Sequence, residues 1–180
     1  MTLQLNLNKS FVFPFILFSN KNFEATLVVL PAYLFFSIKC LKNHVNYRYT
    51  LLSCVSGVDF NASTYRFAVV YDLISLDFNK RIRVKTFLKE GQLLDSITVV
   101  FVNANWWERE IWDFFGIFFN QNLDLRRILT DYGFEGFPMR KDFPLSGYFE
   151  LSYNSNKKRV VSNLLELSQE HRLFNSESSI

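Results

Sequence analysis

"YRFAVVYDLISLDFNKRIRVKTFL", Tyr65–Leu88, decides how this chain folds. Its second half alternates. Ile82, Val84, Thr86 and Leu88 fall on one side of an extended chain, and Arg81, Arg83 and Lys85 fall on the other. Such period-two alternation marks a strand with one buried face. The first half, Tyr65–Leu76, is apolar on both faces, which suits a central strand. "DFNKR" turns the chain between them. A hairpin is therefore predicted, with its apolar side toward a core.

Upstream, a strand near Thr26–Leu30 leads to a helix near Ala32–Asn43, with Pro31 near its first turn. A second strand, near Tyr47–Cys54, is expected to end at a turn, "SGVD", Ser56–Asp59. Downstream, Leu94–Val102 leads to "NANWWEREIWDFFG", where Trp107, Ile111, Phe114 and Phe115 recur at helical spacing. The expected helix is Asn105–Phe115. Asn105 and Glu108 make a capping box, Glu108 and Glu110 sit at the positive end of the dipole, and Gly116 is the stop. The fold class read from these elements is α+β, a mixed sheet with helices packed on it.

The chain has 180 residues, 49% of them apolar and 21% charged, enough for one domain with a real core plus an arm. A net charge of +3 permits anionic partners without demanding nucleic acid. There are 21 Phe and 16 Asn but only six Gly, five Ala and four Pro, a bias that points to an A/T-rich genome such as an organelle's. "FVFPFILF", Phe11–Phe18, and "ATLVVLPAYLFFSI", Ala25–Ile38, are short or broken by proline, whereas a membrane span takes about twenty apolar residues. The first twenty residues hold one Lys and no Arg, unlike a transit peptide, and form an N-terminal extension of unknown role.

Catalytic patterns are missing from the sequence. Cys40 and Cys54 form no CxxC, and a structural zinc or an iron–sulfur cluster usually takes about four ligands. They read as reduced thiols. His44 and His171 are far apart and suit surface or helix-end positions. Glu108, Glu110, Asp113, Asp131 and Glu135 could supply an acid/base pair, but pairing with Arg109, Arg126 or Arg127 explains them more simply. The Arg81/Arg83/Lys85 strand face admits one competing function, a free-standing RNA-binding module.

Beyond Phe119 the character changes. "RRILTDYGFEGFPMRKDFPLSGY", Arg126–Tyr148, carries seven charged residues and five aromatics, and half of the chain's Gly and Pro lie between Gly133 and Gly147. Such a segment is irregular by construction. Its basic and acidic residues alternate, which suits interlocking ion pairs in a docking arm. Packing of the arm back on its own domain is the alternative. "YFELSYNSNKKRVV" then reads as two short strands, and Ser162–Phe174 as a short helix before a frayed tail. The organisation expected is an extension over 1–20, an α/β domain over 21–119, and an extended irregular C-terminal arm over 120–180.

"ANWWEREIWDFFGIFF", Ala104–Phe119, followed by "LRRILTDYGFEGFPMRKDFPLSGY", resembles the signature of the thirty-kilodalton subunit family, in its organelle-encoded form, of respiratory complex I, the proton-pumping NADH:ubiquinone oxidoreductase. The similarity extends back through "SGVDF" and "RFAVVYDLISLDFNKRIRVKTF" and forward through "ELSYNSNKKRVV". Two positions depart from the family pattern. Asn122-Leu123 stands where His-Pro is usual, and Gly136-Phe137-Pro138 where Gly-His-Pro is usual. The resemblance implies a non-catalytic structural and assembly subunit of the matrix-side peripheral arm at the mitochondrial inner membrane. It would brace the quinone-site subunit and the cluster-bearing neighbours. The complex would use FMN, iron–sulfur clusters and ubiquinone, with none of them bound by this chain, and no catalytic or metal site of its own. By position in the motif, docking falls to Arg126, Arg127, Asp131, Tyr132, Arg140, Lys141, Asp142, Phe143 and Pro144. Trp106, Trp107, Glu108, Arg109 and Glu110 would anchor the helix from which the arm departs.

Overall fold

The computed structural model describes residues 15–21, 24–61, 63–166 and 174. The hairpin at its centre pairs β4 (Phe67–Ser75) with β5 (Lys80–Leu88), Tyr71 opposite Val84 and Asp72 opposite Arg83. Asn79 closes the turn in the left-handed region, at φ 47°. On one face Val69, Tyr71, Leu73, Ile82, Val84, Thr86 and Leu88 are buried, as the alternation requires.

Three more strands complete a mixed sheet in the order β1-β2-β5-β4-β3. β2 (Glu24–Val29) runs parallel to β5, β1 (Phe15–Lys21) runs antiparallel to β2, and β3 (Leu51–Asp59) runs antiparallel to β4. After a 3-10 turn over Pro31–Tyr33, α1 (Leu34–Asn43) brings Leu34, Ile38 and Leu41 to the core at spacings of four and three. α2 (Ala104–Phe115) brings Ala104, Ile111 and Phe115 to the same core. The α+β class stands. A small parallel pair, β6 (Leu94–Asp95) with β7 (Phe119–Asn120), straps the ends of the α2 region together.

Several boundaries differ from expectation. "SGVD" is strand, not turn, because Gly57 sits under α2. A Cβ there would lie 2.7 Å from the Phe115 ring, so glycine is what lets the helix come close. The chain reverses later, where the Phe60 N–H donates to the Arg66 carbonyl at 2.7 Å. β3 begins at Leu51 because Tyr47 and Arg48 still donate to the His44 carbonyl in the turn that follows α1. His44 does occupy the helix end. α2 lacks the capping box. Its N-cap is Asn103, whose amide donates to the Leu52 carbonyl at 3.1 Å, and Glu108 is turned into the interior. Gly116 stops the helix as expected, at φ 73°.

The chain divides into two compact units between Lys141 and Asp142, whereas the sequence reading places its boundary after Phe119. In the second unit β8 (Phe149–Asn154) pairs antiparallel with β9 (Arg159–Leu164), the two strands expected there. Phe143 meets Tyr148 edge-on at 5.4 Å. Of the helix expected over Ser162–Phe174, Ser162–Leu164 belong to β9, and 167–173 lie outside the described residues, as does His171. Among the described residues no helix is long and apolar enough to cross a membrane.

Candidate functional site

The irregular segment 121–141 contains neither helix nor strand, yet it is held to the body by three carboxylates. The first is Asp113, buried on α2. It accepts from the N–H groups of Leu129 and Thr130, each at 2.9 Å, from Thr130 Oγ1 at 2.6 Å and from Arg127 Nη1 at 2.9 Å. Burial pushes this carboxyl's pKa up, but the donors around it, Thr130 first, more than offset that, and the net direction is down. Asp113 therefore stays ionised and organises the loop that follows it.

Glu108 lies one face away on the same helix and is also buried. It accepts from Ser96 Oγ at 2.7 Å, Ile97 N–H at 2.8 Å and Asn122 Nδ2 at 2.8 Å. Here burial outweighs the donors, and the pKa is raised. The ion pair expected for Glu108 is replaced by these neutral donors. Asn122, one of the two positions departing from the family pattern, thereby ties the start of the arm to α2.

Asp59, at the end of β3, is the third. It is gripped by Arg66 through Nε at 3.0 Å and Nη2 at 3.2 Å, and accepts the Lys141 N–H at 2.8 Å. Burial raises its pKa, but the Arg66 bonds, the Lys141 N–H and the nearby Arg140 charge reverse the direction.

Two arginines complete the anchorage. Arg127 also donates to the Gly136 carbonyl at 2.9 Å, and its guanidinium lies over the rings of Trp112, Phe134 and Phe137 at 5.3, 5.7 and 5.1 Å. Arg140 donates to the Phe115 carbonyl at 2.7 Å, pairs with Glu90 at 2.9 Å, and covers Phe67 and Phe137. Phe137, the second departing position, thus has both guanidiniums over its ring, Arg127 at 5.1 Å and Arg140 at 4.7 Å, and meets Trp112 edge-on at 6.2 Å. Cations against ring faces are favourable and gain where water is thinned out.

The residues named from the sequence therefore divide. Arg127 and Arg140 turn inward and hold the arm. Arg126 is mostly exposed beside Asp124, at 3.2 Å, while its carbonyl accepts from the buried Arg109. Tyr132 is fully exposed, and Asp131 beside it accepts the Tyr132 N–H at 2.8 Å. The Lys141 and Asp142 side chains are exposed, Phe143 is half-buried, and Pro144 is exposed with its carbonyl accepting the Gly147 N–H. On α2, Trp107 packs against the core, Trp106 is exposed under the Arg109 guanidinium, and Glu110 is half-buried. Ion pairs do lace the arm, among them those of Arg127 with Asp113, Arg140 with Glu90 and Arg126 with Asp124, three carboxylates outside Arg126–Tyr148. Sequence reasoning missed Asp113 as the hub, and missed Asp59 and Glu90 altogether. The one local signal was a carboxylate inside the apolar run "IWDFF".

Cys40 and Cys54 are free thiols, both half-buried. Among the described residues no group of three or more His, Cys, Asp and Glu is placed to hold a metal ion. The basic strand face is interrupted, because Arg83 pairs with Asp72 at 2.7 Å.

Comparison with known proteins identifies the family. A family model described as "Respiratory-chain NADH dehydrogenase, 30 Kd subunit" matches residues 27–149. "NADH-ubiquinone oxidoreductase subunit 9" of Reclinomonas americana is 53% identical over 155 residues, covering 86% of this chain and 76% of the relative. The protein of the same name from Prototheca wickerhamii is 48% identical, covering 89% and 83%. "NADH dehydrogenase [ubiquinone] iron-sulfur protein 3" of Solanum tuberosum is 50% identical, covering 81% and 77%. The fold also matches a chain in the structure of the membrane-bound sulfane sulfur reductase (MBS), an archaeal respiratory membrane complex. There the TM-score is 0.66 at 21% identity, over 80% of this chain and 84% of that one, a likeness of fold alone. On the family match and on relatives about half identical along most of its length, the chain belongs to the family of the 30 kDa subunit of respiratory-chain NADH dehydrogenase.

Proposed function

We propose that this complex I subunit is an assembling and bracing member of the peripheral arm of NADH:ubiquinone oxidoreductase, on the matrix side of the mitochondrial inner membrane. Its partners are the quinone-site subunit and the cluster-bearing neighbours. The complex moves electrons from NADH to quinone through FMN and iron–sulfur clusters, and this chain orients the subunits that do so without binding those groups. Its two cysteines are fewer than the roughly four thiolates a cluster takes.

One observation carries the reading. Segment 121–141 has no regular structure, yet Asp113, Arg127 and Arg140 hold it from inside while Leu129, Tyr132 and Met139 stay exposed. A loop fixed from below with apolar groups facing out is a preorganised contact surface, since ordering costs met before binding do not weaken it. The docking residues under this reading are Arg126, Asp131, Tyr132, Lys141, Asp142, Phe143 and Pro144. Arg127 and Arg140 serve them by fixing the loop.

Native electrophoresis of source membranes, with an NADH-oxidation stain and an antibody to this chain, tests membership. Co-migration with a very large NADH-active band is expected. A free chain beside an active band that lacks it overturns the proposal. In strains carrying Arg140→Ala or Tyr132→Ala, less assembled complex is expected, and normal assembly in both removes the loop from the docking surface.

A further inference from the structure

The β8–β9 hairpin of the second unit has two unlike faces. Phe149 pairs with Leu164, Leu151 with Ser162 and Tyr153 with Val160, so these six residues share one face. Glu150, Ser152, Asn154, Arg159, Val161 and Asn163 make the other, where Asn163 Nδ2 donates to Ser152 Oγ at 2.7 Å. The five large apolar side chains of the first face are 51–69% exposed. A two-stranded hairpin alone is marginal in water, and a contiguous apolar surface of this kind marks an interaction site.

The tip is built as well. Asn154 Oδ1 accepts the Asn156 and Lys157 N–H groups at 3.0 and 3.1 Å, and the turn presents Lys157, Lys158 and Arg159 in succession, all exposed. We propose that the apolar face is a protein-binding surface whose occupant is a neighbouring subunit offering an apolar strip that ends in carboxylates opposite the turn residues Lys157 and Lys158. This rests on the membership proposed above, and adds which face is gripped and by what chemistry.

Other occupants fit less well. An anionic membrane would attract the tip but repel Glu150 and Glu166 toward the hairpin's other end. RNA asks for stacking aromatics on a basic face, and this face carries no cation, since Arg159 stands on the polar side. A second copy laid face to face would need carboxylates on the apolar side, and Glu150 is on the polar one.

The test uses the full-length chain in the assembled complex. A photo-reactive benzoylphenylalanine replaces Leu151 or, as control, Ser152, and the irradiated complex is analysed by mass spectrometry. The expected result is a crosslink from 151 to a different subunit, with little or none from 152. A crosslink from 151 to lipid, RNA or a second copy, or none at all, overturns the proposal. The double variant Lys157→Glu/Lys158→Glu should lose incorporation while Ser152→Asp retains it, and full incorporation of the double variant overturns the carboxylate chemistry. An unsubstituted chain missing from the complex is a separate result that sinks the membership reading and this inference together.

Discussion

Asp113 and Glu108 share a helix and a buried setting, yet their carboxyl groups shift in opposite directions. Burial is the stronger influence at Glu108 and outweighs its donors, whereas around Asp113 the Thr130 hydroxyl and N–H, the Leu129 N–H and Arg127 together outweigh it. Because the folded pKa of Asp113 lies below its unfolded value, its contribution is present above the ordinary Asp range and lost as pH falls through the folded value. Acidification should therefore release the Leu129 and Thr130 amides before the sheet, read as hydrogen exchange corrected for the intrinsic rate. Equal protection of those amides at neutral and acid pH would show that the carboxylate is not what holds the loop. Asp113→Ala leaves Arg127 half-enclosed without its partner, and a loss on the order of 3 kcal/mol is expected in denaturant unfolding. Two glycines give a sharper comparison. Gly116 and Gly133 both have φ near +70°, at 73° and 71°. A Cβ at Gly116 would lie 2.7 Å from the Phe137 ring and Arg140, while one at Gly133 meets nothing within 4 Å. Gly133→Ala should cost on the order of 1 kcal/mol of backbone strain, and Gly116→Ala clearly more. Equal costs would show that the Phe137–Arg140 stack yields freely.

Among the elements, β4 and β5 were legible because alternation follows directly from the pleat, and Ile82, Val84, Thr86 and Leu88 could be assigned to one face without any knowledge of partners. The end of β3 was not legible. A glycine within "SGVD" reads locally as a turn, and its true role depends on a helix nearly fifty residues later. The start of α2 misled for the same reason, since Glu108 answers to Ser96 and Asn122 rather than to its own helix. The sheet also carries a feature that the pattern hid. Tyr71 is buried on the core side of β4, and its hydroxyl has no hydrogen-bond partner among the described residues. Its pKa is pushed well up by burial and then by the Glu108 charge. Tyr71→Phe removes an unsatisfied polar group at nearly constant volume, so a gain on the order of 1 kcal/mol is expected in thermal unfolding. Lower stability in Tyr71→Phe would mean that the hydroxyl is satisfied in solution.

At the scale of the molecule, the family was readable from motif, whereas the workings of the arm were not. Arg127 and Arg140 looked alike in sequence to Arg126 and Lys141, all four being cations in one irregular stretch. What separates them is whether a carboxylate on the body lies within reach, and Asp113 and Glu90 stand 14 and 50 residues away. The Lys141 N–H reaches back further still, 82 residues, to Asp59. That span sets an order of events at the ribosome. At about 5–20 residues per second, the end of β3 waits roughly 4–16 s for the backbone that will close over it. Of the partners of Asp59, Arg66 is made only seven residues after it, and the Lys141 N–H comes last. The strands of the sheet end at Leu88, so the sheet can be complete before the backbone that closes the end of β3 has been made.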